Sequence, residues 1–436
     1  MKKIFAFAAV AASLLASCFS SSAADRKEIL KVYNWSSYIA DGVIEEFEQW
    51  YKEQTGENIT VKYMTFDVNE AMLSKIEKGH EDYDVVCPSD YIIERMLNNN
   101  LLLPLDFAAI PEEINYIYKY RSPYIEKMFR SINPNIDAND YSVAYMWGTT
   151  GLIYDPKHVS DAEASTWDAI RNPKFAGKIL IKDAPRDVYA PVLIYLRQEQ
   201  LKAGKVTLQE LMSDSSAESI AEVQNYLLEC KPGVCGWEAD LGKEIMTKDR
   251  AWLSLNWSGD AMWAIEEAAN VGVELRYIVP EEGSTVWFDG WVIPKYAVNT
   301  KAASYFIDFM CRPDIAIRNM EETGYVASCG AQEVLESQID ESFPPIDLSY
   351  FFGEEASAVC VNPVQYPDIA VINRCALEHD WGEKTEDLLT MWQNVKGSQA
   401  NLMTFIVIAL VIAAAAAYYF ISKKNKKSRR RSSSRR

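Results

Sequence analysis

The sequence predicts an α/β protein with two domains, and three observations support this fold class. Strand-like and helix-like patterns alternate along the body of the chain, which favours mostly parallel sheets. The body holds roughly 375 residues, which is too many for one ordinary domain and suits two. Internal repeats are absent, and so are linkers rich in Gly, Pro or Ser. We therefore expect two domains that exchange segments rather than two that follow one another along the chain.

The predicted elements begin with a strand at 30–33. Apolar residues then recur at helical spacing from Val43 to Tyr51, and Gly56 is expected to end that helix. Further strands are predicted at 59–64, 83–87, 178–181, 252–255 and 275–279, and further helices at 69–78, 188–196, 219–228, 260–269 and 302–311.

The first residues have the pattern of an export signal. Two lysines precede an apolar core at 4–15, which is too short to span a bilayer as a stable helix. The residues before Cys18 fit a lipobox, in which this cysteine becomes the lipid-bearing amino terminus, and ordinary cleavage after Ala24 is the alternative. We predict a signal peptide at 1–24, so that the body is periplasmic or otherwise extracytoplasmic.

A second apolar run lies near the other end of the chain, at 402–421. It contains 20 uncharged residues, and a helix of that length spans about 30 Å, the thickness of a hydrocarbon core. The tail at 422–436 is strongly basic, which by the positive-inside rule makes it cytoplasmic. We therefore predict one transmembrane helix that anchors the body at the outer face of the cell membrane.

Charge separates the terminal segments from the body. The signal holds two basic residues and the tail nine, with no acidic residue in either, so the body carries 33 basic against 62 acidic residues. A body of this charge repels nucleic acid and attracts cationic ligands. We predict no nucleic-acid partner.

The cysteines and histidines favour neither a metal site nor a catalytic centre. Three histidines are dispersed along the chain, and CxxC and HExxH motifs, a nucleophile elbow and a phosphate loop are absent. We predict no cofactor, no metal and no enzymatic activity. An oxidising compartment permits disulfides. The candidate pairs are Cys230 with Cys235, Cys311 with Cys329 and Cys360 with Cys375, which leaves Cys87 as a buried thiol.

Five short segments each place an aromatic ring beside a hydroxyl or a carboxylate. Rings attract an organic cation through their π faces, and carboxylates accept its N–H bonds. Three of the segments follow predicted strands, and ligands of open α/β sheets bind outside the carboxyl ends of strands. We therefore expect a cleft between two lobes that binds an amine. The segments are 33–38, 88–91, 256–260, 287–289 and 323–325.

From about residue 29 to 396 the chain resembles the periplasmic spermidine/putrescine-binding proteins of polyamine ABC transporters. The resemblance implies a type 2 periplasmic-binding-protein fold, in which two α/β lobes joined by two crossover strands close around a ligand. It implies lobes at 28–141 with 287–323 and at 142–286 with 324–396. It rests on the order and spacing of motifs at 32–36, 83–86, 88–89, 141–143, 147–148, 186–188, 256–260, 287–289, 293–294 and 323–325.

The resemblance also implies a function and a set of contacts. The protein would capture polyamines such as spermidine and putrescine and deliver them to the permease of an ABC transporter. Rings would box the alkyl chain, hydroxyls would accept bonds from the amines, and carboxylates would pair with ammonium groups. The implied residues are Trp35, Trp257 and Trp287 for the box, Ser36, Tyr38, Ser89 and Tyr91 for the hydroxyls, Asp187, Asp260 and Asp289 for the carboxylates, and Tyr325 to close one end.

Two positions depart from the family pattern. Relatives often have an acidic residue after the Trp-Ser pair, where this chain has Ser37, which we keep among the site residues. Ala184 stands where spermidine-preferring relatives have a carboxylate, and Glu378 falls near a further polar position of the family. The preference between spermidine and putrescine therefore stays open.

Other interpretations compete with this one. Ser89 could simply cap the helix that follows it, and Asp260 could simply favour a helix amino terminus. Asp187 could pair with Arg186 at the surface. Asp260 and Asp289 would also suit the acid and base of a glycoside hydrolase whose Trp residues stack on sugar rings. A sugar- or other small-solute-binding lipoprotein of the same fold is the nearer rival, although sugar sites use amides and arginine beside acids.

Overall fold

The computed structural model of the chain describes residues 26–108, 110–238 and 245–397. Among these residues no helix is long and apolar enough to cross a membrane. The predicted signal peptide with its candidate lipid site, the predicted membrane helix at 402–421 and the basic tail after it lie outside the described residues.

The described part of the chain forms one large mixed sheet and a small two-stranded ribbon. The strands are β1 (Ile29–Trp35), β2 (Thr60–Phe66), β3 (Val85–Val86), β4 (Ser142–Tyr154), β5 (Ile179–Lys182), β6 (Val234–Glu238), β7 (Leu253–Trp257), β8 (Arg276–Ile278), β9 (Ser284–Val292), β10 (Val326–Ala327), β11 (Pro345–Ile346), β12 (Val359–Cys360) and β13 (Cys375–Ala376). The large sheet has the order β2-β1-β3-β9-β4-β7-β5-β6, with β8 and β10 paired to β4 and β13 paired to β9.

Helices connect most of the strands, and the first shows why they form. Its buried face includes Val43, Phe47 and Trp50, at the spacing the sequence predicts, and it ends at Gly56, whose φ of 74° suits a residue without a side chain. The helices are Val43–Thr55, Asn69–Glu77, Asp90–Asn98, Tyr116–Lys119, Pro123–Ile132, Asp161–Ala164, Pro185–Leu196, Gln198–Lys202, Leu208–Met212, Ala217–Cys230, Ser258–Asn270, Thr300–Met310, Pro313–Thr323, Gln332–Ser337, Ser349–Phe352, Ile369–Ile372 and Thr385–Lys396.

Strands β4 and β9 form the centre of the large sheet. β4 pairs with β9 in antiparallel fashion from Ser142 to Thr149, and its remaining residues up to Tyr154 pair with β7. On one side β1 is parallel to β2 and β3, and on the other β5 is parallel to β6 and β7. The prediction of mostly parallel sheets is therefore right for the outer strands and wrong at the centre, because the two long strands run antiparallel between the halves.

Two hydrophobic cores define two lobes. The core of the first lobe combines side chains from 30–147 with side chains from 286–377. The core of the second lobe combines side chains from 152–255 with side chains from 376–395. A smaller cluster that includes Ile153 and Ala261 belongs to the same second-lobe elements, on the opposite face of β4 because neighbouring strand residues alternate in direction.

The lobe division differs from the predicted one between Val326 and Ile372. The prediction gave 324–396 to the second lobe, but the buried apolar side chains of this stretch lie in the first core. Strand β10 gives the reason, because it pairs with β4 at Met146 and Trp147, in the first lobe, and so directs the following segment there. The other predicted boundaries stay a prediction.

The cysteines of the described residues are free thiols. Cys230 is buried at the end of its helix whereas Cys235 is exposed in β6. The Cys329 thiol donates to the backbone carbonyl of Cys311 at 3.6 Å instead of bonding its sulfur. The third suggested pair lies on two separate strands, β12 and β13. None of the three suggested disulfides is therefore formed among these residues.

Candidate functional site

Side chains of the predicted site are positioned by the ends of strands in both lobes. Trp35 is the last residue of β1 and Trp257 the last of β7. Ser89 follows β3 and forms an isolated bridge with Asp289 in β9. Because the strands of each outer group run parallel, their carboxyl ends share one edge of the sheet. The alternation of strands and helices thus brings distant motifs to one region.

Asp289 accepts hydrogen bonds from two hydroxyls. It is buried, Tyr38 Oη donates to its Oδ2 at 2.8 Å, and Ser89 Oγ donates to its Oδ1 at 2.6 Å. Burial raises the pKa of this carboxyl from 3.8 to about 6, the two hydroxyl donors oppose the rise, and the charge of Asp187 adds to it. Because its donors are neutral, the negative charge of Asp289 is not cancelled by them.

An amide organises the hydroxyls of the first lobe. Asn69 Nδ2 donates to Ser89 Oγ and to Tyr91 Oη, each at 3.0 Å. Ser89 uses its own proton for Asp289 and makes no side-chain capping bond to the helix Asp90–Asn98. The interpretation of Ser89 as a simple helix cap is therefore wrong.

Four aromatic rings form a continuous row. The ring centroids of Trp257 and Trp287 are 6.1 Å apart with planes at 60°, so the two indoles are tilted rather than stacked face to face. The Tyr325 ring lies 5.5 Å from Trp287 and 5.4 Å from Tyr38. Since Trp257 belongs to the second lobe and Tyr38 to the first, the row joins the two lobes.

Two glycines make room for this row. A Cβ atom at Gly259 would lie 2.2 Å from the Tyr325 ring, and one at Gly148 would lie 2.6 Å from the Trp287 ring. Both distances are far below van der Waals contact, so any side chain there would displace a ring. The close approach of backbone and ring explains why these positions are glycine.

Asp187 carries the corresponding carboxylate on the second lobe. It lies in the first turn of the helix Pro185–Leu196, and Trp257 Nε1 donates to its Oδ1 at 2.8 Å. Burial raises its pKa from 3.8 to about 6, whereas the Trp257 bond and the charges of Lys182 and Arg186 oppose the rise. The interpretation of Asp187 as a surface partner of Arg186 is therefore wrong, because its hydrogen bond goes to an indole inside the site.

Asp260 has a different partner. Lys182, the last residue of β5, places Nζ 2.5 Å from Asp260 Oδ2 and 4.1 Å from the centroid of the Trp257 ring. The Lys182 side chain is only 2% exposed and that of Asp260 9%. The carboxylate predicted to meet a ligand ammonium is thus already paired with an ammonium group of the chain.

Two further carboxyl groups lie deep in this region. Burial raises the pKa of Glu378 well above its usual range, and the nearby Asp187 raises it further while Arg186 lowers it. Burial also raises the pKa of Asp90 well above its usual range, against backbone bonds from Phe288 and Tyr91. Both groups therefore favour the protonated form.

Arg186 connects the two lobes. Its guanidinium lies 4.3 Å from the Tyr91 ring of the first lobe and 5.4 Å from the Trp381 ring of the second. It also donates to the backbone carbonyl of His379 and to Thr385 Oγ1, both at 3.0 Å. Arg186 thus lies between side chains of the two lobes and contacts both.

Three predicted residues at the end of β1 are less enclosed. Trp35 is half-buried and packs on Phe66 with ring centroids 4.6 Å apart. Ser36 is exposed and donates to Asp67 at 2.7 Å. Ser37 is exposed and has a φ of 53°. Trp35 thus reaches the enclosed region from one side, whereas the two serine side chains do not join its hydrogen-bond network in this structure.

Sequence analysis missed Asn69 and Lys182. Asn69 was treated only as the start of a helix, and its amide bonds depend on Ser89 and Tyr91, which lie 20 or more residues away. Lys182 ends a strand one residue after the predicted end at Ile181. A charged residue at the carboxyl end of a buried strand is a usable signal, because such positions face the ligand edge.

A possible cation cluster lies elsewhere. Ligand atoms of Asp155, His158 and Asp249 lie within 4.8 Å of one another. His158 Nε2 is 3.2 Å from Asp249, and its ring stacks on Trp252 at 4.2 Å. These contacts with Asp249 and Trp252 already hold the His158 ring in place, and the prediction of no metal stays a prediction.

Comparisons with known proteins agree with the motifs. The putrescine-binding periplasmic protein PotF of Escherichia coli is 28% identical over 355 residues, which cover 78% of this chain and 89% of that protein. The spermidine/putrescine-binding periplasmic protein of the same organism is 28% identical over 333 residues, with coverages of 76% and 86%. The resemblance to spermidine/putrescine-binding periplasmic proteins is thereby confirmed.

Solved structures show the same fold. The spermidine/putrescine ABC transporter substrate-binding protein PotD of Streptococcus pneumoniae matches with a TM-score of 0.61 and 28% identity. The match covers 85% of this chain and 100% of that protein's chain. The predicted two-lobe α/β fold of the periplasmic binding proteins is thus confirmed. The family model for bacterial extracellular solute-binding protein matches residues 43–337, and the chain therefore belongs to the bacterial extracellular solute-binding proteins.

Proposed function

We propose that this protein captures polyamines outside the cytoplasm and delivers them to the permease of an ABC transporter, without chemistry on the ligand. The observation that carries the proposal is a pair of enclosed carboxylates, Asp289 and Asp187, one at each end of the row of rings. Their hydrogen-bond donors are hydroxyl or indole groups, which leave the negative charges for a cationic ligand. The relatives, which are named as putrescine-binding and spermidine/putrescine-binding periplasmic proteins, support the same ligand class.

In this proposal a diamine lies along the row of rings. One ammonium group pairs with Asp289 and the other with Asp187, and the methylene chain packs on Trp257 and Trp287. Each charge-assisted bond in an enclosed site contributes about 1.5–3 kcal/mol, and the π faces add to this for a desolvated cation. Tyr325, which lies between Trp287 and Tyr38 in the row, closes the ligand site next to the first lobe. We propose that Trp35, Ser36, Ser37, Tyr38, Ser89 and Tyr91 complete the contact set around this central part. Asp260, which the sequence analysis also gave to the site, instead holds Lys182 and does not contact the diamine.

The two rival functions fit the contacts less well. A glycoside hydrolase needs two carboxyl groups that act as acid and base or nucleophile, whereas Asp260 is bound to Lys182 and Asp289 to two hydroxyls. A sugar-binding protein typically offers amide and guanidinium donors. Here Asn69 is directed at other side chains and Arg186 at backbone and rings.

Calorimetry of the full-length protein in detergent tests the proposal. The titrants are putrescine, spermidine, spermine and a panel of neutral sugars at pH 7.5. We expect saturable binding of at least one polyamine at a stoichiometry of one and no heat from the sugars. Binding of a sugar without binding of any polyamine would show that the ligand class is wrong.

We further propose that the body is held at the outer face of the cell membrane. The support is the sequence pattern at 402–421, with lipidation of Cys18 as a second possible anchor. In spheroplasts an added protease should digest the body, and an epitope in the tail should stay protected. A version that lacks 399–436 should leave the membrane unless Cys18 is lipidated, so combining the deletion with Cys18→Ala separates the two anchors. Protection of the body in spheroplasts would contradict the topology.

A further inference from the structure

We propose that Lys182 fills an ammonium position of the site with its own side chain, and that the protein therefore selects diamines over longer polyamines. This inference rests on the proposed polyamine function and deepens it by naming the ligand length. It makes Lys182 a specificity-determining residue, one that excludes a third ligand charge rather than binding the ligand.

The surroundings of Lys182 Nζ are those of a bound amine. A buried ammonium group needs a carboxylate that accepts its N–H bonds and benefits from an aromatic face. Lys182 has both, with Asp260 Oδ2 at 2.5 Å and the Trp257 centroid at 4.1 Å. Asp260 is the residue that the sequence motifs had marked as a partner for a ligand amine. The chain thus supplies from β5 the cation that a longer ligand would bring.

A second lysine shows that contact with a Trp ring alone does not make such a position. Lys178 comes directly before β5, whereas Lys182 is the last residue of that strand. The Nζ atom of Lys178 lies 4.8 Å from the centroid of the Trp252 ring. However, Lys178 donates to the backbone carbonyl of Asp249 in an exposed setting. What distinguishes Lys182 is its burial and its carboxylate partner, so Lys178, just before the start of the same strand, offers a matched control.

Trp257 links Lys182 to the remaining site. Its ring faces the ammonium of Lys182 while its Nε1 donates to Asp187. A ligand amine bound at Asp187 would therefore lie near the Trp257 indole, and the Lys182 ammonium would lie over the face of that same ring. A third ammonium placed at Asp260 would have to displace Lys182 or lie beside it, and two like charges at one buried carboxylate repel each other.

The charges around the site fit a dication. Asp187 and Asp289 are held by neutral donors, and Asp260 is neutralised by Lys182. Burial raises the pKa values of Asp90 and Glu378 well above their usual range, which favours their neutral forms. Asp187 and Asp289 then remain to accept ligand ammonium groups, and a diamine offers one to each. Arg186 is a further cation near Asp187, so the region offers no charge for a third ligand amine.

The test compares putrescine and spermidine in titrations of the full-length protein and of three variants. Lys182→Met removes the ammonium and keeps most of the unbranched side chain, Lys182→Met with Asp260→Asn removes both charges, and Lys178→Met is the control. We expect the ratio of spermidine to putrescine affinity to rise at least tenfold in Lys182→Met. The double variant should lose that gain, and Lys178→Met should leave the ratio within twofold of the parent.

Thermal unfolding of each variant guards against a loss of the fold. If Lys182→Met does not fold because Asp260 is left buried without its lysine, the double variant carries the test. It should bind putrescine within threefold of the parent, and a loss of more than tenfold would mean that Asp260 contacts the diamine and that the inference is wrong.

The remaining outcomes separate the inference from the function on which it rests. If Lys182→Met folds and its ratio of spermidine to putrescine affinity is unchanged, the inference is wrong. Putrescine binding by the parent protein would still support the proposed function. A parent that binds neither polyamine overturns both.

Discussion

Asp289 and Asp260 are both buried carboxylates in ring-bearing motifs, but their neighbours differ. Asp289 lies in β9 and accepts bonds from the hydroxyls of Tyr38 and Ser89. Asp260 lies in the first turn of the helix after β7 and is paired with the ammonium of Lys182. A hydroxyl donates a hydrogen bond to a carboxylate without cancelling its negative charge, whereas an ammonium donates the bond and also cancels the charge. The comparison teaches that an acid in the right motif offers its charge to a ligand only when its own donors are neutral.

The largest expected effect is the response of affinity to pH. Burial raises the pKa values of Asp289 and Asp187 to about 6, and a dication binds best when both are ionised. As the pH falls from 7 to 5, each carboxyl becomes about 90% protonated, so putrescine affinity should fall about 100-fold if both must ionise and about 10-fold if only one must. Titrations at pH 5, 6, 7 and 8 measure this. An affinity that is flat over this range would show that neither group pairs with the ligand.

Neutralising each carboxylate in turn tests the comparison directly. Asp289→Asn should weaken putrescine binding by about 1.5–3 kcal/mol, or roughly 10- to 150-fold, because a charge-assisted bond is lost. Asp260→Asn combined with Lys182→Met should change it less than about threefold, since the two charges pair with each other and both are removed together. Calorimetry at pH 7.5 gives both values. Equal losses in the two variants would remove the distinction.

The rings extend the comparison to apolar contact. Trp287→Ala should weaken putrescine binding by about 2 kcal/mol, because it removes a ring next to a desolvated cation. Trp291→Ala is the control, since that ring is fully buried in the first core against Tyr145 and Phe306. It should instead lower the free energy of unfolding by about 3–5 kcal/mol. Melting temperature and affinity measured on both variants decide whether Trp287 contacts the ligand or packs in the core. A destabilised Trp287→Ala protein that keeps its affinity would place that ring in the core.

The smallest effect is expected at Ser37. A glutamate there would add a carboxylate on an exposed turn next to Ser36, and exposed ion pairs contribute about 0–1 kcal/mol. Ser37→Glu should therefore change the affinities of putrescine and spermidine by less than about fivefold. A tenfold gain for spermidine alone would mean that the new carboxylate reaches an amine, and that ligand length is also controlled from the first lobe.

Sequence analysis predicted the fold class and several of its elements well for a physical reason. The strands at 30–33 and 252–255 and the helix at 302–311 have clear periodicity and all occur in the structure. By contrast, β4 and β9 were not identified, because both are buried along almost their whole length and so lack the alternation that marks a half-exposed strand.

The contacts within the site were harder to predict than its members. Asp289, Ser89 and Tyr38 could be named from motifs, but their bonding depends on a chain separation of about 200 residues or more. The pairing of Lys182 with Asp260 spans 78 residues. No local pattern carries such information, so the pairing of Asp260 with Lys182 could only follow from the structure.

The two glycines under the ring row bear on how this site can diverge. Gly148 and Gly259 have no space for even a methyl group while Trp287 and Tyr325 stand over them. A mutation at either glycine would force a ring or a strand to shift, which typically costs about 1–3 kcal/mol. Trp287 or Tyr325 would have to be replaced by a smaller side chain before the glycine beneath it could change. Ligand preference in descendants of this chain should therefore drift through the polar residues, with ring and glycine inherited together as one unit.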